Sequence, residues 1–446
     1  MDIKRIPHRL LPTTLYTPPE EEDFYESLSK YSTLYRILLF KPCINEVYLN
    51  QWNRLDLQLV NELGLPLRGA KERECYLQVD AELLLQQGKR IVSSGATQFT
   101  IQTRPIQRDA WDFFDDPSAI SGFQHNTRGG LEYKVSLDMK HSMVRDQTCY
   151  LKVNPVVNGG SKDENRVAGQ PTVRAFPLVI GPFVVKPESA SQKEVDLYQK
   201  DWSSKCFAQD SFHVFHMLDK SYLMIKEIWH LGTPGKMWDS AIVLSQMFTE
   251  MIHANPARFH KKRILDLSAG TGCVGLVIAA TYKRIFPQYK PEVIMTDLKE
   301  ALDLLEYNRK INHLDNPKTL IKPLKWGESK DVQLILKGGP IDFVIASDVL
   351  YEPAHFSALV STLDHLVGHQ KTCIYLGYKK RGLSLEQEST FFNICLLKFD
   401  IVLIQDEQLE SAAYVDGWIG GEGGFSTILK ETGVEIYRLS RKESIL

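Results

Sequence analysis

The carboxyl-terminal half of this sequence predicts an α/β fold: a doubly wound, mostly parallel sheet. Three observations carry that expectation. Short apolar runs alternate with segments of helical periodicity from about Arg263 onward. One run, Ile264 to Leu267, gives way to a loop of small residues, Ser268, Ala269, Gly270 and Gly272, that opens a helix. Three acids, Asp266, Asp297 and Asp348, stand at or near the carboxyl ends of such runs, where open α/β sheets bind their ligands.

Taken in order, Phe212–Met217 and Ser221–Trp229 read as two strands with a turn between, and Ile242–Ile252 as an apolar helix. The Ile264 strand leads to a helix with Val274, Val277, Ile278, Tyr282 and Ile285 on one face. Val293–Asp297 leads to a helix from Ala301, and Thr319–Leu324 to a loop. Ile341–Ser347 leads to a helix bearing Phe356, Leu359, Val360, Leu363, Leu366 and Val367. Thr372–Gly377 leads to a helix near Gln387–Leu397, and strands at Asp400–Ile404 and Val434–Leu439 close the chain.

The amino-terminal text reads differently. Apolar spacing at Phe24, Leu28, Tyr31, Leu34, Ile37 and Leu38, and again over Val47–Leu63 and Cys75–Gln87, predicts helices, with one strand at Gln98–Pro105. Trp111–Asp116 reads as a buried aromatic anchor. The expected organisation is a mainly helical region over 1–152, a candidate for substrate recognition. A Gly- and Pro-punctuated linker over 153–204 and a catalytic domain over 205–446 follow.

Composition bounds the class. A chain of 446 residues predicts two or three domains. An apolar fraction of 43% and a formal charge of −2 fit a soluble globular protein and give no support to broad nucleic-acid binding. Because no run of eighteen apolar residues occurs, no membrane association is expected, and the first residues lack a secretory pattern. The seven cysteines contain no C-x-x-C pair, which argues against a zinc site or a disulfide framework, and no metal is expected. The cytoplasm or nucleus is the expected compartment, cytoplasm foremost.

The Ile264–Gly275 unit is a nucleotide-binding layout. Small residues let backbone N–H groups approach a ligand, and a helix N-terminus favours negative charge there. Gly270, Gly272 and Gly275 satisfy the G-x-G-x-x-G spacing of dinucleotide sites, so NAD is one candidate. Asp266 points to the other. A carboxylate there repels a pyrophosphate but attracts the ammonium and sulfonium charges of S-adenosylmethionine. Asp297 lies twenty-five residues beyond Gly272, near the spacing for an acid that holds ribose hydroxyls; it also fits a helix N-cap. Asp348 can accept hydrogen bonds from a substrate amine beside the Tyr351 ring, or serve as a cap or ion-pair partner.

Asp266-Leu-Ser-Ala-Gly-Thr-Gly272, Thr296-Asp297, Leu324-Lys-Trp-Gly327 and Ser347-Asp-Val-Leu-Tyr351 occur in that order. They follow Gly235-Lys-Met-Trp-Asp-Ser-Ala241 and precede Gly377-Tyr-Lys-Lys-Arg381. The set resembles the seven-strand protein-lysine methyltransferases of methyltransferase family 16, over roughly residues 210–446. It is most similar to the fungal branch acting on translation elongation factors. The resemblance implies a seven-stranded, Rossmann-like class I methyltransferase sheet, S-adenosyl-L-methionine as cofactor, and a protein substrate. It implies that Trp238 approaches the cofactor, that Ser268, Ala269 and Gly270 line its methionine part, and that Asp297 holds the ribose. Trp326 and Ser347 would flank the adenine, with Asp348 and Tyr351 facing the target lysine. Two positions depart from the pattern: Ser268 stands where a Gly is usual, and Lys325 where an acid usually precedes Trp-Gly. Two other readings are an NAD-dependent oxidoreductase and a non-catalytic scaffold of the same fold that binds translation factors. The intact Asp348 and Tyr351 argue against the scaffold.

Overall fold

The computed structural model describes residues 34–41, 46–68, 70–93, 99–107, 119–137, 148–156, 174–187, 210–367, 372–404 and 425–442. The aromatic segment 111–116 and the polar stretch 158–165 lie outside them. The chain divides into two compact units, one holding the described residues up to Lys226 and the other those from Glu227 onward.

The amino-terminal unit is built of strands, not the expected helices. They are β1 (Leu34–Leu39), β2 (Glu46–Tyr48), β3 (Trp52–Val60), β4 (Tyr76–Gln87), β5 (Arg90–Ser93), β6 (Phe99–Arg104) and β7 (Gly122–Gln124). β8 (Arg128–Leu137), β9 (Thr148–Pro155), β10 (Arg174–Phe176), β11 (Leu178–Lys186), β12 (Asp210–His216) and β13 (Ser221–Lys226) follow, and α1 (Ala70–Arg73) is a single helical turn. The period decides it. In β3, Leu55, Leu57 and Leu59 are buried while their neighbours are partly exposed, and in β4 Leu77, Val79, Leu83 and Leu85 are buried. Alternation of this kind places one face of a strand in the core, whereas a helix would need a period near 3.6.

β4, β5, β13, β12, β11 and β9 pair antiparallel, each with the next, and β9 pairs back onto β4. The ring leaves those six strands with no free edge. β2 pairs parallel with the end of β11, and the other strands extend from β4 through β7 to β8, β3, β1 and β10, with β6 beside β8. β11 lies in the stretch read as a linker, and β12 and β13, at the start of the stretch read as the catalytic domain, pair within this ring.

The second unit holds a seven-stranded sheet: β14 (Arg263–Leu267), β15 (Glu292–Asp297), β16 (Thr319–Pro323), β17 (Phe343–Ser347), β18 (Cys373–Tyr378), β19 (Phe399–Ile404) and β20 (Glu435–Arg441). Their order is β16-β15-β14-β17-β18-β20-β19. The first five run parallel; β20 is antiparallel to both neighbours. Side chains of alternate strand residues serve two helical layers. Leu265, Leu267, Val344, Ala346, Ile374 and Leu376 share a core with α5 (Ser329–Leu336), α6 (Phe356–Val367) and α7 (Leu385–Leu396). The opposite face meets α2 (Asp239–Ala254) and α3 (Cys273–Arg284): the Phe248 ring lies 5.3 Å from that of Tyr375, edge to face. α4 (Leu302–Ile311) and α8 (Phe425–Thr432) complete the unit. Winding reverses between β14 and β17, the place where such sheets open a crevice at their carboxyl ends. Cys273 and Cys395 are buried, and Cys373 is partly so. Among the described residues no helix is long and apolar enough to cross a membrane.

Candidate active site

A cavity of about 200 Å³ lies at that crevice. Five segments of chain build it. The loop after β14 supplies Ser268, Ala269, Gly270 and Thr271; the end of β15 supplies Asp297 and Leu298. Lys325 and Trp326 follow β16, and Ser347, Asp348 and Tyr351 follow β17. Thr233, Pro234, Lys236 and Trp238, ahead of α2, close the remaining side.

The loop bends because three of its residues take left-handed backbone angles: Ser268 (φ 56°), Gly270 (φ 55°) and Gly272 (φ 81°). Glycine adopts that region freely; serine does so at a cost of roughly 1–2 kcal/mol. This explains the usual glycine at position 268. Here the serine hydroxyl accepts a 2.9 Å hydrogen bond from the Trp326 indole N–H, which offsets part of that cost and ties two walls of the cavity together. Gly270 passes close to the opposite wall, and a Cβ there would lie 3.2 Å from the Pro234 carbonyl oxygen.

Asp297 is nearly buried yet faces the cavity. One carboxylate oxygen accepts from the Gly270 N–H at 2.8 Å, the other from the Leu298 N–H at 2.7 Å. A carboxylate has about four acceptor positions, so capacity remains for ligand hydroxyls. Burial pushes its pKa up, against the pull of the two backbone donors. The Tyr351 ring is half exposed and lies 6.2 Å from that of Trp326, so the two aromatics flank the cavity mouth.

Nine of the eleven residues singled out from sequence line this cavity: Trp238, Ser268, Ala269, Gly270, Asp297, Trp326, Ser347, Asp348 and Tyr351. Asp266 and Gly272 do not. Asp266 is buried beneath the loop, and its Oδ2 accepts from the Gly275 N–H at 2.9 Å. The pleat of β14 turns its side chain toward the first turn of α3, away from the strand tip where a sulfonium would sit. Gly272 is the N-cap of α3, where a Cβ would lie 2.8 Å from Leu305 Cδ2. Both residues shape the loop from below. The expected convergence of three carboxylates thus reduces to two, Asp297 and Asp348.

Asp348 also departs from expectation in its surroundings. Its φ of 53° turns the carboxylate away from solvent. Oδ2 accepts from the Ser240 N–H (2.9 Å) and from Arg381 Nη2 (3.0 Å); Oδ1 accepts from Arg381 Nη1 (2.6 Å) and from the Lys379 N–H (3.2 Å). Arg381 lies in the Gly377–Arg381 motif, to which the sequence reading assigned no role. Beside it, Lys379 and Asp239 form an ion pair with both side chains fully buried.

Residues 217–397 match the model of a lysine methyltransferase family. The protein N-lysine methyltransferase METTL21A of Mus musculus is 31% identical over 183 residues, 40% of this chain and 75% of that protein. EEF1A lysine methyltransferase 3 of Mus musculus is 28% identical over 200 residues, 44% of this chain and 75% of that protein. Among solved structures, an S-adenosylmethionine-dependent methyltransferase of Agrobacterium tumefaciens aligns with a TM-score of 0.32 at 13% identity, over 52% of this chain and 70% of that one. By its family match and its seven-stranded sheet the second unit carries a class I methyltransferase fold. The chain belongs to the lysine methyltransferase family; it is a protein-lysine methyltransferase, and its cofactor is S-adenosylmethionine.

Proposed function

We propose that this enzyme methylates a lysine of a translation elongation factor, with the donor in the cavity between the Ser268–Thr271 loop and Trp326. The observation that carries the site is Asp297, a desolvated carboxylate facing the cavity with two backbone donors and spare acceptor positions. It is assigned to the ribose hydroxyls of the donor. Ser268, Ala269 and Gly270 line the methionine part, Trp326 and Ser347 flank the adenine, and Trp238 approaches from the α2 side. Lys325, with its backbone N–H on the Asp331 carboxylate, lines the same wall in place of an acid. Asp348 and Tyr351 are assigned to the target lysine. The elongation-factor target is supported by the name of a relative, EEF1A lysine methyltransferase 3.

When bound, S-adenosylmethionine supplies a methyl group already activated by a positive sulfur. The protein's task is then alignment: it must hold a neutral amine in line with that group. A carboxylate is a poor base for an amine whose pKa is about 10. The role assigned to Asp348 is accordingly to aim the amine, with the Tyr351 ring as a wall that favours its charged form on entry.

The test uses labelled donor and purified elongation factor 1A, followed by mass spectrometry of the product. Label on one lysine supports the target; absence of label from the factor removes it. Calorimetry with the donor tests the site separately. Asp297→Ala is expected to weaken binding by about 1.5–3 kcal/mol, the range for hydrogen bonds to a charged group. Unchanged affinity would take Asp297 out of the cofactor site.

A further inference from the structure

We propose that Arg381 is the resident cation of the lysine subsite: it occupies Asp348 until the target ammonium displaces it. This rests on the reading above that Asp348 receives the target lysine. All four acceptor positions of the Asp348 carboxylate are taken, two by backbone N–H groups and two by the Arg381 guanidinium. The backbone donors are fixed by the start of α2 and the end of β18. The guanidinium is the part that can leave, because it is carried on a long side chain. Its segment joins β18 to α7, and the next residue, Gly382, has a φ of 140°, open to glycine.

The guanidinium also lies over the Trp238 ring, 5.0 Å from its centroid, and Trp238 lines the cavity. Arg381 thus meets a buried carboxylate and an aromatic face together, the pair of features a lysine ammonium would use. With the side chain of Asp348 only 2% exposed, an incoming amine finds no free lone pair unless Arg381 moves. The bidentate fork is stronger than a single ammonium contact. A stray lysine therefore does not open the subsite; a lysine delivered by a docked protein surface does. Arg381 is in this sense a specificity-determining residue, acting through Asp348.

The test needs no knowledge of the substrate. n-Butylammonium stands in for the lysine side chain, titrated by NMR into enzyme loaded with S-adenosylhomocysteine. Arg381→Ala is expected to bind the probe about tenfold or more tighter than wild type, and Arg381→Lys to fall between. Adding Asp348→Asn to Arg381→Ala is expected to erase the gain. Cooperative melting and unchanged S-adenosylhomocysteine affinity in each variant show that the fold is intact. If folded Arg381→Ala gains nothing over wild type, the displaced-cation proposal is overturned and the assignment of Asp348 is untouched. If Arg381→Ala gains affinity that survives Asp348→Asn, the cation sits elsewhere and the Asp348 reading itself falls. Should Arg381→Ala lose its fold, Arg381→Lys carries the comparison, and equal affinity with wild type again overturns the proposal.

Discussion

Replacing Asp266 with Asn should flatten the pH dependence of stability between pH 5 and 8. The carboxyl is wholly buried under the Ser268–Gly272 loop, one oxygen on the Gly275 N–H and the other without a hydrogen-bond partner. Burial raises its pKa from 3.8 to about 7, with a further push from the nearby Asp297 charge. Between those values the folded protein keeps a proton that the unfolded chain has released. The stabilisation is complete below about pH 4 and is lost as pH rises through 7. Over pH 5 to 7 one such group contributes a fall on the order of 2 kcal/mol. Asn keeps an acceptor for the Gly275 N–H and cannot ionise, so it should remove that slope and be relatively more stable above pH 7. Urea unfolding followed by tryptophan fluorescence at pH 5, 6, 7 and 8 measures it. Parallel pH profiles for wild type and Asp266→Asn would refute the reasoning, because they would show that Asp266 titrates alike in both states.

Three further outcomes follow from the packing. Gly275→Ala would put a Cβ 2.6 Å from Cγ of the fully buried Met295 and should cost about 1–3 kcal/mol in chemical denaturation; a neutral result would show that Met295 repacks freely. Lys379→Met takes the cation from the buried Lys379–Asp239 pair and should cost about 3–5 kcal/mol, whereas Lys379→Met with Asp239→Asn should recover much of that; equal losses in the two variants would deny the coupling. Ser268→Gly relieves a left-handed serine but deprives the Trp326 N–H of its acceptor. The two effects are each about 1 kcal/mol and opposed, so the melting temperature should barely move while the Trp326 fluorescence shifts; an unaltered spectrum would show that the hydrogen bond is not made in solution.

Most of the lining of this cavity was legible in the sequence because its residues sit at short, fixed distances from apolar runs. A strand ending at Leu267, small residues after it and an acid ending the next strand leave little freedom in where the loop and Asp297 can go. The amino-terminal unit was misread for an equally local reason. Trp52–Val60 alternates with a period of two, but its apolar residues also satisfy a loose helical count. The pairings that resolve the ambiguity, such as Val79 to Pro155 on β4 and β9, join residues far apart in the chain.

Local patterning by itself determined the alternating strands and helices of the second unit, the small-residue loop and the acid at the end of β15. Only tertiary structure decided that Asp266 faces a helix start and that Asp348 meets Arg381. A strand's pleat fixes on which side a residue lies, but what waits on that side is supplied by other segments, some a hundred residues away, as Ser240 is to Asp348. Hydrogen-bond geometry acts between neighbours in space, and sequence spacing does not record them.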